Sequence, residues 1–185
     1  NYLIRDIKKW NHYRKSIKSK RVNISGLDFT RMNLSKADLS YVKLINATLV
    51  QTIFTDANLS NTKLCNSNLG DADLKGVDIR KADFRNCKLI QAHLTDANAD
   101  YTKFTEADLT EAMLDGLKGY KSNFNHTCLQ KANFRHADLR FAQFVGADLE
   151  KADFTDADLT GANFSWADMT GAIFTGAKID KCTGA

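Results

Sequence analysis

Residues 147–164, ADLEKADFTDADLTGANF, contain the triplet Ala-(Asp or Asn)-(Leu or Phe) four times, always five residues apart. Counting outward from Leu149 in steps of five reaches Ile24 in one direction and Ile179 in the other without an insertion. Of these 32 positions, 16 are Leu, 10 Phe, 3 Ile and 1 Met, and only Ala99 and Gly119 are small. Two residues before each lies a second column, in which 19 of 32 residues are Ala. The residue between the columns is often Asp or Asn, as in Ala37-Asp38-Leu39 and Ala57-Asn58-Leu59.

A five-residue period excludes the ordinary elements. Five residues of α-helix advance about 500°, so the large side chains would drift about 140° per repeat around the axis. In a flat strand, an odd repeat sends successive side chains to opposite faces. A chain that keeps every fifth residue inside must turn a corner once per repeat. One small and one large residue then point inward on each side of a coil, and three residues point out. Coils stacked at about 4.8 Å bury together a core that no single repeat could bury alone.

The A-[DN]-[LF]-x-x pattern over residues 22–181 resembles the pentapeptide-repeat family. That resemblance implies an all-β solenoid, a right-handed quadrilateral β-helix with four repeats and therefore 20 residues per coil. Thirty-two repeats then make about eight coils, a rod of roughly 38 Å. The recurrence of Phe84, Phe104 and Phe124 at 20-residue intervals supports this coil length independently. It also sets Ala99 and Gly119 one above the other, as a pair of core defects.

The period changes before the repeat. Leu3, Ile7, Trp10 and Ile17 form one helical stripe, flanked by Ile4 and Tyr13, with Arg5, Lys8, Lys9, Lys15 and Lys18 facing away. The segment Trp10-Asn11-His12-Tyr13-Arg14 resembles the W-N-x-[WY]-R helix preceding the repeats in many bacterial members. Residues 1–21 are therefore expected to be a helix capping the open first coil, residues 22–181 the β-helix, and residues 182–185 a tail. No such cover follows the last coil, so a homodimer through the C-terminal coil is one expectation.

Residues 1–22 carry +7, whereas residues 23–185 hold 18 basic and 21 acidic side chains, or −3. A pI-based inference of nucleic-acid binding would therefore mislead. There is no long apolar run for a membrane span. The four cysteines have no C-x-x-C spacing and suit a reducing, cytoplasmic setting, though a chain beginning at Asn1 suggests a trimmed fragment, from which a targeting segment could be missing.

No constellation suggests catalysis, a metal or a cofactor. His12, His93, His126 and His136 share no column. Asp156 over His136 and Glu106 over His126 give pairs, and two ligands do not make a metal site. A convex rod offers no cleft to tune the stacked carboxylates Asp138/Asp158 or Asp148/Asp168. The Asp and Asn residues are explained by hydrogen bonds to nearby backbone at tight corners.

The irregular place is the wall around Ala99 and Gly119, where Leu117 in the small column adds bulk. The outward residues of that side are Asp100, Tyr101, Tyr120, Lys121, Arg140 and Phe141, three aromatics with two cations over an expected dent. That composition resembles a protein-binding hot spot. The leading expectation is a non-enzymatic interaction module with a protein partner. Two alternatives follow from other features. Some family members mimic DNA and protect DNA gyrase, which needs an acidic rod; Lys75, Arg80, Lys81, Arg85, Lys131, Arg135 and Arg140 argue against it. The basic N-terminal helix suggests an anionic polymer or membrane surface, a weaker expectation for either nucleic acid or membrane.

Overall fold

The computed structural model describes residues 6–18 and 21–184. Leu3, Ile4 and Arg5 of the expected stripe lie outside the described residues. From Asn23 to Thr183 every bridge is parallel and joins residues 20 apart, as in Asn23↔Lys43, Lys43↔Lys63 and Asn163↔Thr183. The coil therefore has four sides. Side 1 carries the large residues Ile24, Leu44, Leu64 and Phe84 through Phe164; side 2 runs from Phe29 to Met169, side 3 from Leu34 to Phe174, and side 4 from Leu39 to Ile179. The ladder continues through Thr183, whose N–H donates to Ala162 O (3.1 Å), so pairing enters the stretch expected to be a tail.

Each side makes the same contacts. The N–H of Leu64 donates to Asp83 O in the next coil (2.8 Å), and the N–H of Asp83 donates back to Thr62 O (2.9 Å). At each corner a turn closes, as in Ala82 N–H to Ile79 O (3.0 Å), with Lys81 left-handed at φ 57°. Among the described residues, twenty-five other than glycine hold such a conformation. L-residues avoid it at a cost of about 1–2 kcal/mol each, and the paired coils above and below hold it in place.

The Asp/Asn column does what its chemistry suggests. The Asp28 carboxylate accepts from Thr30 N–H (2.8 Å), and Asp168 accepts from both the amide (2.9 Å) and the hydroxyl (2.6 Å) of Thr170. Hydroxyls in the small column are buried yet satisfied: Thr62 donates to Leu39 O (2.7 Å) and Ser67 to Leu44 O (2.6 Å). Cys87 donates in the same way to Leu64 O (3.0 Å), and burial pushes its thiol up to about 12.

These bonds give stability a pH dependence. The Thr30 hydroxyl and amide hold the Asp28 carboxyl below its ordinary 3.8, and Thr170 does the same for Asp168. A pKa depressed by folding contributes stability that is complete above the unfolded value and is lost as pH falls through the folded one. The melting temperature should hold down to about pH 4 and then fall. A melting temperature unchanged to still lower pH would show that these carboxylates do not stabilise the fold.

Leu and Ala fill most of the core, and in its later coils two opposed Phe stacks run through it. Phe104, Phe124, Phe144 and Phe164 of side 1 lie nearly parallel at 4.8–5.1 Å, and Phe134, Phe154 and Phe174 of side 3 at 5.0–5.1 Å. The two columns meet edge to face, as in Phe124–Phe134 at 86°.

Before the coils lies a helix, α1, Ile7–Ser16, N-capped by Asp6, whose side chain accepts from Lys9 N–H. It docks on the first coil through Trp10, Asn11 and Arg14. Trp10 Nε1 donates to Asp38 O (2.9 Å), Asn11 Oδ1 accepts from Asp38 N–H (2.9 Å), and the Arg14 guanidinium donates to Ser40 O. One coil later, Asn58 stands where Asp38 stands, and both of its backbone groups are paired from the coil below. Its N–H donates to Ala37 O (3.0 Å), and its carbonyl accepts from Leu39 N–H (2.8 Å). Side chains of α1 thus supply, on side 4 of coil one, the ladder bonds of a coil that is not there.

Candidate binding surface

Side 4 brings the six candidate residues together at its corner with side 1. Tyr101 and Tyr120 meet edge to face at 5.7 Å, and Tyr120 meets Phe141 likewise at 5.8 Å. Lys121 Nζ sits 5.2 Å from the Tyr120 ring centre and 5.9 Å from that of Phe141, and the Arg140 guanidinium lies 5.8 Å from Tyr120. Arg140 is held in place by two bonds of 2.7 Å to the Asp138 carboxylate. Asp100 has a different role from the others: its carboxylate accepts from Tyr120 N–H (3.0 Å) and so positions the tyrosine. Tyr101 and Phe141 remain 46% and 45% exposed.

Left-handed turn residues explain the alignment. Tyr101, Lys121 and Phe141 occupy the same corner position in successive coils, with φ of 59°, 54° and 60°. The Phe141 ring extends over the next coil, where a Cβ on Gly161 would stand 2.7 Å from Phe141 Cδ1. A side chain at position 161 would displace the ring.

The dent expected beneath this edge is absent. A Cβ on Gly119 would meet Leu139 Cδ2 at 3.0 Å, Ser122 Oγ at 3.1 Å and Leu117 Cδ2 at 3.4 Å. Leu117 from the small column and Leu139 from the coil above have taken the space, so the wall is repacked. Gly119→Leu, which restores the usual large residue, should lower stability by about 1–3 kcal/mol through overpacking. Urea denaturation measures it, and a more stable variant would mean that the wall has room.

A second surface was not visible from charge totals. Along the lower part of side 1 runs a shallow groove of about 590 Å³, lined by Arg21, Lys43, Lys63, Lys81, Arg85 and Lys103 among others. Lys43 and Lys63 are on adjacent rungs, and Lys103 stands in the same column two coils on. The acidic side chain lining the groove, Asp83, is bound to Arg85 at 2.8 Å through both oxygens.

Elsewhere, Asp156 does approach His136, at 3.8 Å. Among the described residues no three His, Cys, Asp or Glu side chains gather as metal ligands, and no helix is long and apolar enough to cross a membrane. Trp166, a further outward ring, is 90% exposed and lies away from the aromatic edge.

The sequence model for pentapeptide repeats matches residues 20–56, 52–89, 87–118, 120–156 and 147–183. The chain belongs to the pentapeptide-repeat family. Its fold is the right-handed quadrilateral β-helix expected of that family. Among solved structures, HetL, a pentapeptide-repeat protein involved in heterocyst differentiation regulation in the cyanobacterium Nostoc sp. strain PCC 7120, is 25% identical. That match covers 94% of this chain and 92% of HetL, with a TM-score of 0.60. QnrB1, a plasmid-mediated fluoroquinolone resistance protein, is 16% identical over 88% of this chain and 82% of its own, with a TM-score of 0.66. The likeness to QnrB1 is one of fold alone. A comparison with curated protein sequences finds no match.

Proposed function

We propose that this pentapeptide-repeat protein is a non-enzymatic interaction module that engages a protein partner through the Tyr101–Tyr120–Phe141 edge. The supporting observation is the linked ring array itself, exposed yet pre-ordered by Lys121, Arg140 and the Asp100 bond. Rings already fixed lose little rotamer freedom on binding, so the contact they make is not offset by ordering. Aromatic and Arg side chains are also the groups most often carrying the energy of protein interfaces.

Mimicry of duplex DNA, with gyrase as the target, fits this chain less well. It requires a dense acidic surface, whereas residues 23–185 sum to only −3 and side 1 presents lysines.

The test is affinity capture with the whole chain and mass spectrometry of what it retains. Tyr101→Ser, Tyr120→Ser and Phe141→Ser combined should abolish capture while leaving the melting temperature nearly unchanged. Undiminished capture by that variant would end the proposal.

A further inference from the structure

The side 1 groove adjoins the aromatic edge, Lys81 standing one coil below Tyr101 in the same corner column, and six of its lining side chains are Lys or Arg. Lys43, Lys63, Lys81 and Lys103 are all exposed and, among the described residues, none forms an ion pair. Like charges on adjacent rungs, about 4.8 Å apart, repel one another. Three charges elsewhere on the rod are met by the opposite sign in a neighbouring coil: Lys131 pairs with Glu111 (3.0 Å), Arg135 with Asp153 (3.3 Å) and Lys178 with Asp158 (3.6 Å). Here the lining carboxylate, Asp83, is consumed by Arg85. The lysines therefore line the groove without ion-pair partners among the described residues, and the Asp83 that stands on the rung between Lys63 and Lys103 is neutralised by Arg85.

We propose that this groove docks a short, extended, acidic segment of a protein partner, its carboxylates meeting Lys43, Lys63, Lys81 and Lys103. The proposal rests on the reading of the rod as a protein-interaction module. From coil one to coil five the groove is about 19 Å long, the reach of about six residues of extended chain. A strand presents alternate side chains to one face, so every second residue would carry the charge.

Carboxylates suit the site better than nucleic acid does. Proteins that hold single strands combine basic grooves with free ring faces on which bases stack. Tyr41, 47% exposed, is the aromatic residue lining the groove. The rings Tyr101, Tyr120 and Phe141 lie beyond the groove, so bases held in it would have a single ring to stack on. The segment must also be short, because beyond Lys103 the same column continues as the uncharged Asn123, Gln143 and Asn163.

Fluorescence anisotropy with the full chain tests this. The probe is a fluorescein-labelled peptide of alternating Glu and Ser, about twice the length of the groove. Its counterparts are the same peptide with Lys for Glu, and an oligothymidylate of similar length. The acidic peptide should bind and the basic one should not, with affinity falling about tenfold as salt rises from about 50 to 300 mM. Lys43→Glu, Lys63→Glu and Lys103→Glu together should weaken binding by at least about tenfold. Circular dichroism should be unchanged, since all three side chains are exposed.

No binding of the acidic peptide, or binding that survives the triple Glu variant, overturns the proposal. Tighter binding of oligothymidylate than of the peptide overturns it too, in favour of a nucleic-acid surface. The aromatic-edge variant should bind the peptide normally, so failure of the groove and failure of the aromatic edge are read separately.

Discussion

Trp10→Ala is expected to strip the first coil of its protection while leaving the middle of the rod intact. Trp10 is 1% exposed, and replacing a buried Trp by Ala costs about 3–5 kcal/mol. The indole also donates to Asp38 O, and its neighbour Arg14 packs against it at 5.9 Å while bonding Ser40 O. Losing the ring loosens the whole set of bonds with which α1 replaces a missing coil. In a solenoid each coil contacts only its neighbours, so the loss is borne locally. The signature is therefore fraying from one end. Hydrogen exchange should accelerate at the Asp38 amide, bonded to Asn11 Oδ1, and across the first coil. Exchange in the coil containing Phe124 should barely change. A freed first coil also presents unpaired backbone, and the variant should associate more readily than the parent. Unchanged protection in the first coil would show that α1 does not cap it.

How far the sequence reveals this molecule depends on whether a feature follows from the period or from particular rotamers. The 20-residue register follows from the period, and the bridges repeat it from Asn23↔Lys43 to Asn163↔Thr183. The roles of Asp28 or Asp168 follow from residue chemistry at a corner. The composition of the aromatic edge was also legible, because three coils of spacing align Tyr101, Lys121 and Phe141. The filling of the wall at Gly119 was not, because it depends on how Leu139 leans from the coil above. The lysine groove was within reach: Lys43, Lys63 and Lys103 differ by 20 and 40 residues. Summing charge over the rod hid it, since the acidic side chains that balance the total lie mostly on other sides.

Phe124→Ala should have the opposite spatial character to the loss of Trp10, weakening the rod as a whole. Phe124 lies between Phe104 at 4.8 Å and Phe144 at 5.1 Å, and meets Phe134 edge-on at 5.6 Å. The truncation itself costs about 3–5 kcal/mol, and three ring contacts, each worth about 0.5–1.5 kcal/mol beyond burial, go with it. The void cannot close readily, because backbone bonds to the coils on both sides fix their spacing: Phe104 N–H donates to Asn123 O and Phe124 N–H to Gln143 O, both at 2.7 Å. Phe84→Ala provides the internal comparison. Phe84 stands at the end of the same stack and meets one ring, Phe104, at 5.3 Å. Its replacement should cost less by roughly two ring contacts, or about 1–3 kcal/mol. Equal losses in urea denaturation would mean that burial alone sets the cost and that the stacked rings add nothing. A larger loss at Phe124, with a single transition for both variants, would show that the aromatic column couples the coils into one cooperative rod.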